Sequence, residues 1–289
     1  MQRHTPHLKI LVGSILVAGL SSCANLTYIH RFCGTSAETL KKYDEISFSA
    51  THYCREIICL DPQSYMLGHI ISVANCDCKD FIAADKAIKI INNVLVDYLE
   101  RLKTLSDKKG VAVSYANLGG SVKSLSANLK LGLKDDEVQT TQSLSTKAST
   151  ILLAGWRSKK LRKTIYNSNA AFAVVMEVQG RNISFLRAIL SEEMSEIRTA
   201  YAAMADKTSE TSLKFLIDVE QLRREAELKK QDQLLSTYIH VLEKIKDGYQ
   251  TLHKMRVILE DPEVAKFILE CTDQINELIQ EFNELKIKI

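Results

Sequence analysis

The residues best suited to chemistry in this sequence are its cysteines, which can form disulfides, bind a metal or carry a lipid. The seven are Cys23, Cys33, Cys54, Cys59, Cys76, Cys78 and Cys271. Cys54-x4-Cys59 and Cys76-x-Cys78, with His52 and His69 nearby, could hold zinc, which takes four sulfur or nitrogen ligands. These spacings differ from the paired Cys-x-x-Cys of zinc ribbons, so no metal or other cofactor is predicted.

The segment before Cys23 has the features of an export signal. Arg3 and Lys9 precede an apolar run at residues 10–20, and residues 1–22 contain no acid. As a helix this run would span only about 16 Å, too short for a bilayer core of about 30 Å, so a secretory signal peptide is favoured. The run ends in Leu20-Ser21-Ser22-Cys23, which resembles the lipobox of bacterial lipoproteins: an aliphatic residue, two small residues and a cysteine.

This resemblance implies a mature protein anchored by lipid. In bacterial lipoproteins the cysteine thiol is lipidated, the chain is cut just before it and the new amino terminus is acylated, with palmitate among the fatty chains. Several acyl chains hold a protein stably to a membrane. In this family an Asp directly after the lipidated cysteine retains the protein in the inner membrane. Here that position is Ala24, so the resemblance implies the inner leaflet of the outer membrane, facing the periplasm. The alternative is an ordinary signal peptide with a chance cysteine.

A second similarity, to uncharacterised helical lipoproteins of proteobacteria, involves residues 96–99, 105–107 and 114–115. It implies no activity.

In the oxidising periplasm the other cysteines are disulfide candidates. They are Cys33, Cys54, Cys59, Cys76, Cys78 and Cys271. Six cysteines allow fifteen pairings, and the sequence does not choose among them, although Cys76 and Cys78 are too close to pair easily with each other. Cys271 either ties the last helix to the amino-terminal part, which would stabilise the fold by roughly 4–5 kcal/mol, or stays a buried free thiol.

No catalytic constellation is recognisable, so the chain is not predicted to be an enzyme. The sequence contains no glycine-rich phosphate loop, no His-Glu-x-x-His and no Gly-x-Ser-x-Gly. Ser106 and Lys109 have the spacing found in penicillin-binding enzymes, but the companion motifs are missing. His240 and His253 lack the carboxylate pattern of a metal site.

The charge is nearly balanced, which argues against nucleic acid as a partner. The net charge is +3, and loss of Arg3 and Lys9 with the signal peptide leaves 36 basic against 35 acidic residues, or +1. The densest basic run follows Trp156. It comprises Arg157, Lys159, Lys160, Arg162 and Lys163. Such a run either faces anionic lipid or an acidic partner, or forms the solvated side of an amphipathic helix.

The chain contains few prolines, and its apolar residues recur at intervals of three and four. Both features predict a chain that is nearly all helix. A first helix is expected from Ala37 to about Leu60, and a second after Asp77, which would cap it. A single long helix is predicted from Asp135 to about Lys207, with possible bends at Gly155 and Gly180.

The chain is expected to reverse at residues 207–212 and to continue as a helix from Leu213 to about Leu259. The polar stretch Glu220–Gln233 suggests that this helix projects beyond the bundle.

The last predicted helix begins at Asp261-Pro262 and carries a heptad seam. Its apolar residues alternate steps of four and three: Val264, Ile268, Cys271, Ile275, Leu278, Phe282, Leu285 and Ile289. A seam of this kind needs a partner helix, in the same chain or in another. Val264, Ile268, Ile275, Leu278, Phe282 and Leu285 are therefore candidates for binding a partner, and self-association is possible.

These patterns predict an all-α protein, an elongated antiparallel bundle of long helices with a disulfide-stapled amino-terminal part. The predicted organisation is a signal peptide at 1–22, a lipidated tether at 23–36 and one helical domain at 37–289, cysteine-rich at 37–106 and a long-helix bundle at 111–289. The expected function is a membrane-anchored, non-catalytic envelope lipoprotein that acts as a structural or interaction module for another envelope protein. The alternatives are a membrane-active protein resembling helical pore-forming toxins, and a metal-binding protein that uses the cluster Cys54–Cys78.

Overall fold

The computed structural model describes residues 26–59, 76–107, 125, 130–150 and 157–287. All regular structure within these residues is helical, which confirms the predicted all-α class. The predicted signal peptide and Cys23 lie outside the described residues, as do His69, Lys109, Gly155, Trp156 and Ile289.

Seven α-helices make up the described fold, and six of them have 14 residues or more. Their bounds are α1 Thr27–Leu40, α2 Ala50–Tyr53, α3 Lys79–Ser106, α4 Asp135–Ser149, α5 Arg157–Lys207, α6 Thr211–Lys254 and α7 Pro262–Ile287. At 1.5 Å per residue, α5 is about 76 Å long, so the bundle is elongated as predicted.

The helices pack around one hydrophobic core. Helix α1 contacts α3, α6 and α7, and α5 contacts α3, α4 and α6. Arg187 pairs with Asp232 and Arg198 with Glu225, so α5 and α6 run antiparallel. Helices α6 and α7 are also antiparallel, because Lys230 Nζ donates to the carbonyl of Lys286 near the end of α7. The prediction of an antiparallel bundle is confirmed.

The predicted tether is wrong from Thr27 onward, because these residues form α1. Tyr28, Ile29, Phe32 and Cys33 are buried on this helix. The predicted helix Ala37–Leu60 is wrong as well, since α1 ends at Leu40 and a new start follows. Ser49 provides that start, because its hydroxyl accepts a hydrogen bond from the His52 N–H at 3.1 Å and so caps α2.

The single long helix predicted from Asp135 is instead two helices that run antiparallel. Arg181 on α5 pairs with Glu137 on α4, and Lys147 Nζ donates to the carbonyl of Asn167. Helix α4 ends at Ser149, where the Ser149 and Thr150 hydroxyls donate to carbonyls of the last turn. These local bonds satisfy carbonyl groups that a continuing helix would have used.

Two helix starts and one reversal are confirmed. Asp77 Oδ1 accepts a hydrogen bond from the Lys79 N–H at 2.9 Å, and Asp261 Oδ1 accepts one from Glu263 at 2.8 Å. The reversal predicted at residues 207–212 separates the end of α5 from the start of α6.

The heptad seam of α7 is an internal packing surface. Val264, Ile268, Ile275 and Phe282 are at most 3% exposed, and Leu278 and Leu285 are half-buried. Helix α7 packs against α1 and α6 of the same chain. Of the two alternatives for this seam, a partner helix in the same chain is the one observed, so Val264, Ile268, Ile275, Leu278, Phe282 and Leu285 need no other protein to cover them.

Candidate binding surfaces and the cysteine cluster

Four of the six candidate cysteines form two disulfides, Cys54–Cys78 and Cys59–Cys76. They join the turn that follows α2 to the residues just before α3. The predicted disulfide-stapled amino-terminal part is thereby confirmed. We refer to these four residues as the cysteine cluster.

A carboxylate reinforces the same attachment. Asp85 on α3 accepts hydrogen bonds from the Ala50 and Thr51 N–H groups at 2.8 and 2.9 Å. An acid suits this position because the first N–H groups of a helix have no partner within the helix and carry partial positive charge. Sequence analysis missed Asp85, since the residues that it binds lie 34 and 35 positions away.

The four Sγ atoms of the cysteine cluster also lie within 4.8 Å of one another. The Sγ of Cys59 is 3.2 Å from that of Cys78 and 3.8 Å from that of Cys54. A tetrahedral zinc site with Zn–S bonds of about 2.3 Å separates its sulfurs by about 3.8 Å. Fully reduced, the cluster would thus offer four thiolates at suitable separations, but the disulfides leave none of them free to bind a metal.

His52 is engaged elsewhere. Its Nε2 lies 3.5 Å from Oε1 of Glu193 on α5, whose side chain is 1% exposed. The hydrogen bond with Glu193 raises the pKa of His52 above its ordinary value, and the nearby charge of Glu56 acts in the same direction. The pair joins the segment around α2 to α5.

Cys33 and Cys271 are free, buried thiols, so the prediction that they form disulfides is wrong. Cys33 lies on α1 and Cys271 on α7. Burial raises the pKa of both thiols, which keeps them protonated and unreactive. The alternative for Cys271, a buried free thiol, is confirmed.

One end of the α5–α6 pair extends past the end of α7 and contacts the segment after α2, where Arg224 pairs with Glu56 at 3.7 Å. Helix α7 ends beside Lys230, and none of residues 211–227 of α6 is buried. This stretch is about 25 Å long. We call residues 194–227 the overhanging hairpin. The predicted projection of Glu220–Gln233 is confirmed as far as Glu227, whereas Leu228 and Gln231 are buried.

The overhanging hairpin carries exposed apolar side chains. They are Leu213, Phe215, Leu216, Val219 and Leu222, with exposed fractions from 45% to 67%. Phe215, Val219 and Leu222 are spaced by four and three residues, which is the spacing of a heptad seam. Contiguous exposed apolar surface on a folded protein usually marks an interaction site.

The opposite end of the bundle, where the described chain begins, we call the proximal end. The Tyr28 hydroxyl donates to the carbonyl of Leu259 at 2.5 Å, which fixes the start of α1 to the turn between α6 and α7. Glu260 in that turn pairs with Arg162 and accepts a hydrogen bond from Ser158, both near the start of α5. The proximal end therefore comprises residues 26–28, 157–163 and 254–267.

Buried polar groups between the two ends fasten helices to one another. Asn92 Nδ2 donates to the carbonyl of Leu40 at 3.0 Å, and the Tyr238 hydroxyl donates to Asn92 Oδ1 at 2.5 Å. The hydroxyls of Tyr98 and Tyr249 are 2.6 Å apart. These bonds satisfy polar groups inside the core, so we assign them a structural role.

Comparison with known proteins adds no relative. No protein-family model, curated protein or solved structure matches this chain. Of the helices described, none is both long enough and apolar enough to cross a membrane. The function has to be argued from the surfaces and the cysteine cluster.

Proposed function

We propose that this chain is a non-catalytic lipoprotein of the bacterial cell envelope, anchored through Cys23 and facing the periplasm, and that it binds another envelope protein through the overhanging hairpin. The observation that carries this proposal is the row of exposed apolar side chains on the hairpin. It lies at the end of the molecule away from Leu26, the first residue that the structure describes.

The geometry suits a module held at one end and active at the other. Leu26 follows Cys23 by three residues and belongs to the proximal end. Helix α6 has 44 residues and extends about 66 Å from the proximal end to the tip of the hairpin. A lipid at Cys23 would hold the proximal end near the membrane and leave the apolar row well separated from it.

The spacing of the apolar row indicates the kind of partner. A heptad seam packs best against another amphipathic helix, which inserts its own side chains between the seam residues. Lys214, Asp218, Glu220 and Arg223 surround the row with both signs of charge, so we expect packing rather than net charge to select the partner. Either a second copy of this chain or a different envelope protein could supply such a helix.

The cysteine cluster supports the proposed compartment. Disulfides persist in oxidising compartments such as the periplasm and are rare in the bacterial cytoplasm. The two bonds of the cluster are therefore consistent with the export implied by the lipobox resemblance.

Photo-crosslinking in intact cells tests the proposal. A photoreactive amino acid is placed at Phe215 or Leu222 of the full chain, with Ile82, an equally apolar residue on α3 that is 48% exposed, as the matched control. We expect one adduct of defined mass from both hairpin positions and none from position 82. In a chain probed at Phe215, Leu216→Glu together with Leu222→Glu should abolish the adduct, whereas Ile82→Glu should leave it. The absence of an adduct from both hairpin positions would refute the proposal.

A metal-binding role is a second candidate, because the Sγ atoms of the cysteine cluster lie within 4.8 Å of one another. Metal analysis of the purified chain, combined with thiol counting after denaturation, separates the two candidates. One bound zinc per chain and no disulfide would favour the metal site. Two disulfides without metal would exclude it. Liposome leakage, or crosslinking of the hairpin to lipid alone, would instead favour the membrane-active alternative.

A further inference from the structure

We propose that the proximal end is a membrane-contact face that binds the headgroups of anionic phospholipids. This inference rests on the lipid anchor of the proposed function and adds an orientation to it. The bundle would stand with the proximal end on the bilayer and the overhanging hairpin pointing away.

The first argument is the reach of the chain. The hydrogen bond from Tyr28 to Leu259 holds the start of α1 against the α6–α7 turn. Leu26 lies three positions after Cys23, and an extended chain covers at most about 3.6 Å per position, or about 11 Å in all. A lipid on Cys23 would therefore keep the proximal end within this distance of the bilayer surface.

The second argument is exposed apolar surface at this end. The side chains concerned are Met255, Val257, Ile258 and Phe267, which are 43%, 70%, 46% and 44% exposed. Met255, Ile258 and Phe267 also line an open groove of about 470 Å³. Apolar side chains around a helix turn can insert into the boundary between headgroups and acyl chains. Val257, the most exposed of the four, lies in the turn itself.

The third argument is charge. Residues 157–163, at the start of α5, include five basic residues and no acid. Arg162 is paired with Glu260, whereas Lys159, Lys160 and Lys163 form no ion pair with any residue that the structure describes. The groove itself is lined by Lys254 and Lys266 together with Asp261, Glu263 and Glu270, so the positive charge of the proximal end comes from the start of α5. Unpaired lysines next to apolar side chains suit an anionic membrane surface, which attracts each cation near it.

Basic and apolar side chains together at the proximal end favour a bilayer rather than a protein as its partner. The basic run lies on α5, whereas the apolar side chains lie in the α6–α7 turn and on α7. The fold brings both to the end of the bundle that contains Leu26, three positions after the proposed anchor. The overhanging hairpin has apolar side chains but lacks a comparable basic run, and it lies at the other end of α6.

Quenching by brominated lipid tests this orientation. The full chain contains one tryptophan, so Trp156→Phe provides a background in which a single introduced tryptophan reports its depth. Val257→Trp places the reporter at the proximal end, and Leu216→Trp, a change at a similarly exposed apolar position, is the matched control on the hairpin. Each lipidated chain is reconstituted into vesicles of equal parts phosphatidylcholine and phosphatidylglycerol, with or without bromine on the acyl chains.

We expect the chain to float with the vesicles, bromine to remove most of the V257W emission, and the L216W emission to be unchanged. Flotation without quenching of V257W would overturn the membrane-contact face and leave the anchor intact. Quenching of L216W, alone or together with V257W, would also overturn it, because the hairpin would then touch the bilayer. A chain that fails to float would refute both the anchor and the face.

A charge variant tests the headgroup contribution separately. Lys159→Glu, Lys160→Glu and Lys163→Glu together should cause loss of V257W quenching in these vesicles while flotation persists. The matched triple change of Lys214, Lys229 and Lys230 to Glu, on α6, should preserve the quenching. Equal quenching in both triple variants would refute the anionic-headgroup part of the proposal.

Discussion

Gly248, six residues before the end of α6, lies directly against the ring of Phe32 on α1. A Cβ at Gly248 would be 2.5 Å from Cε2 of Phe32 and 2.6 Å from its Cζ, closer than real Cβ atoms approach other atoms. Phe32 is 0% exposed, so its ring has no solvent to move into. The missing side chain is what allows α1 to approach α6 this closely.

We therefore expect Gly248→Ala to destabilise the protein, although alanine normally favours a helix over glycine by about 1 kcal/mol. The added methyl group overpacks a buried contact, which typically costs about 1–3 kcal/mol. Gly180→Ala on α5 is the matched control, because nothing lies within 4 Å of a Cβ at that position. It should stabilise by about 0.5–1 kcal/mol. Urea unfolding of the two variants measures both effects, and a stabilised Gly248→Ala would contradict the packing described.

Glu137 and Arg181 fasten α4 to α5 through two parallel hydrogen bonds of 2.8 and 2.9 Å. Lysine cannot make this paired contact, so Arg181→Lys should lower the free energy of unfolding by about 1–2 kcal/mol. The corresponding change of Arg223, whose pair with Glu220 is exposed, should cost less, because solvent screens an exposed ion pair. Equal effects of the two changes would mean that the α4–α5 pair contributes no more than a surface contact.

The same pair predicts a loss of stability in acid. The hydrogen bonds from Arg181 lower the pKa of Glu137 below its ordinary 4.5. A group with a lowered pKa in the folded state contributes stability above its unfolded value, and this contribution is lost as the pH falls through the folded value. Unfolding free energies measured from pH 6 downward should therefore fall below pH 4.5 more steeply in wild type than in Arg181→Lys.

The pair of His52 and Glu193 predicts the opposite dependence. Because the pKa of His52 is raised above 6.5, its contribution is complete below that value and is lost as the pH rises through the raised value. We expect unfolding free energy to decline across this window in wild type, and His52→Gln and Glu193→Gln each to remove the decline. A decline that survives both changes would have to come from another group.

Among the cysteines that the structure describes, thiol counting should find two that react in the denatured, unreduced protein and six after reduction. In the folded protein, burial should protect Cys33 and Cys271 from alkylation. Replacing Cys59 and Cys76 by serine removes the inner of two nested disulfides. The loss of stability should be smaller than the roughly 3 kcal/mol of a separate loop of this length, because Cys54–Cys78 still constrains the unfolded chain. Mass spectrometry after alkylation provides the count, and hydrogen exchange should show the loosening confined to the residues around α2.

Local signals made part of the fold predictable. Asp77 and Asp261 each accept a hydrogen bond from the N–H group two residues ahead. These two helix starts could therefore be predicted from neighbouring residues alone. The break between α4 and α5 could not, because the apolar period continues across it and the hydroxyls of Ser149 and Thr150 are weak stop signals. Helix α1 was missed for another reason. Its stripe is short, includes Gly34, and is stabilised by α7 more than two hundred residues away.

The candidate surfaces depended on information that the sequence pattern does not contain. Val264 and Ile268 on α7 are four residues apart, as are Phe215 and Val219 on α6, yet the first pair is buried and the second is exposed. The difference arises because α7 ends beside Lys230 and leaves the start of α6 uncovered. Which periodic stripe stays open depends on where a neighbouring helix ends, and that is a property of the assembled bundle.

The hydrogen bond between Tyr28 and Leu259 joins residues 231 positions apart. Helix α1 therefore cannot complete its packing until almost the whole polypeptide has been synthesised. Until then Ile29 and Phe32 of the nascent chain would remain exposed. Folding from this state would be slow, because it requires contacts between residues far apart in sequence. Holdase chaperones and proteases would compete for the incompletely folded chain during this interval. Chains truncated within α7 should therefore be degraded.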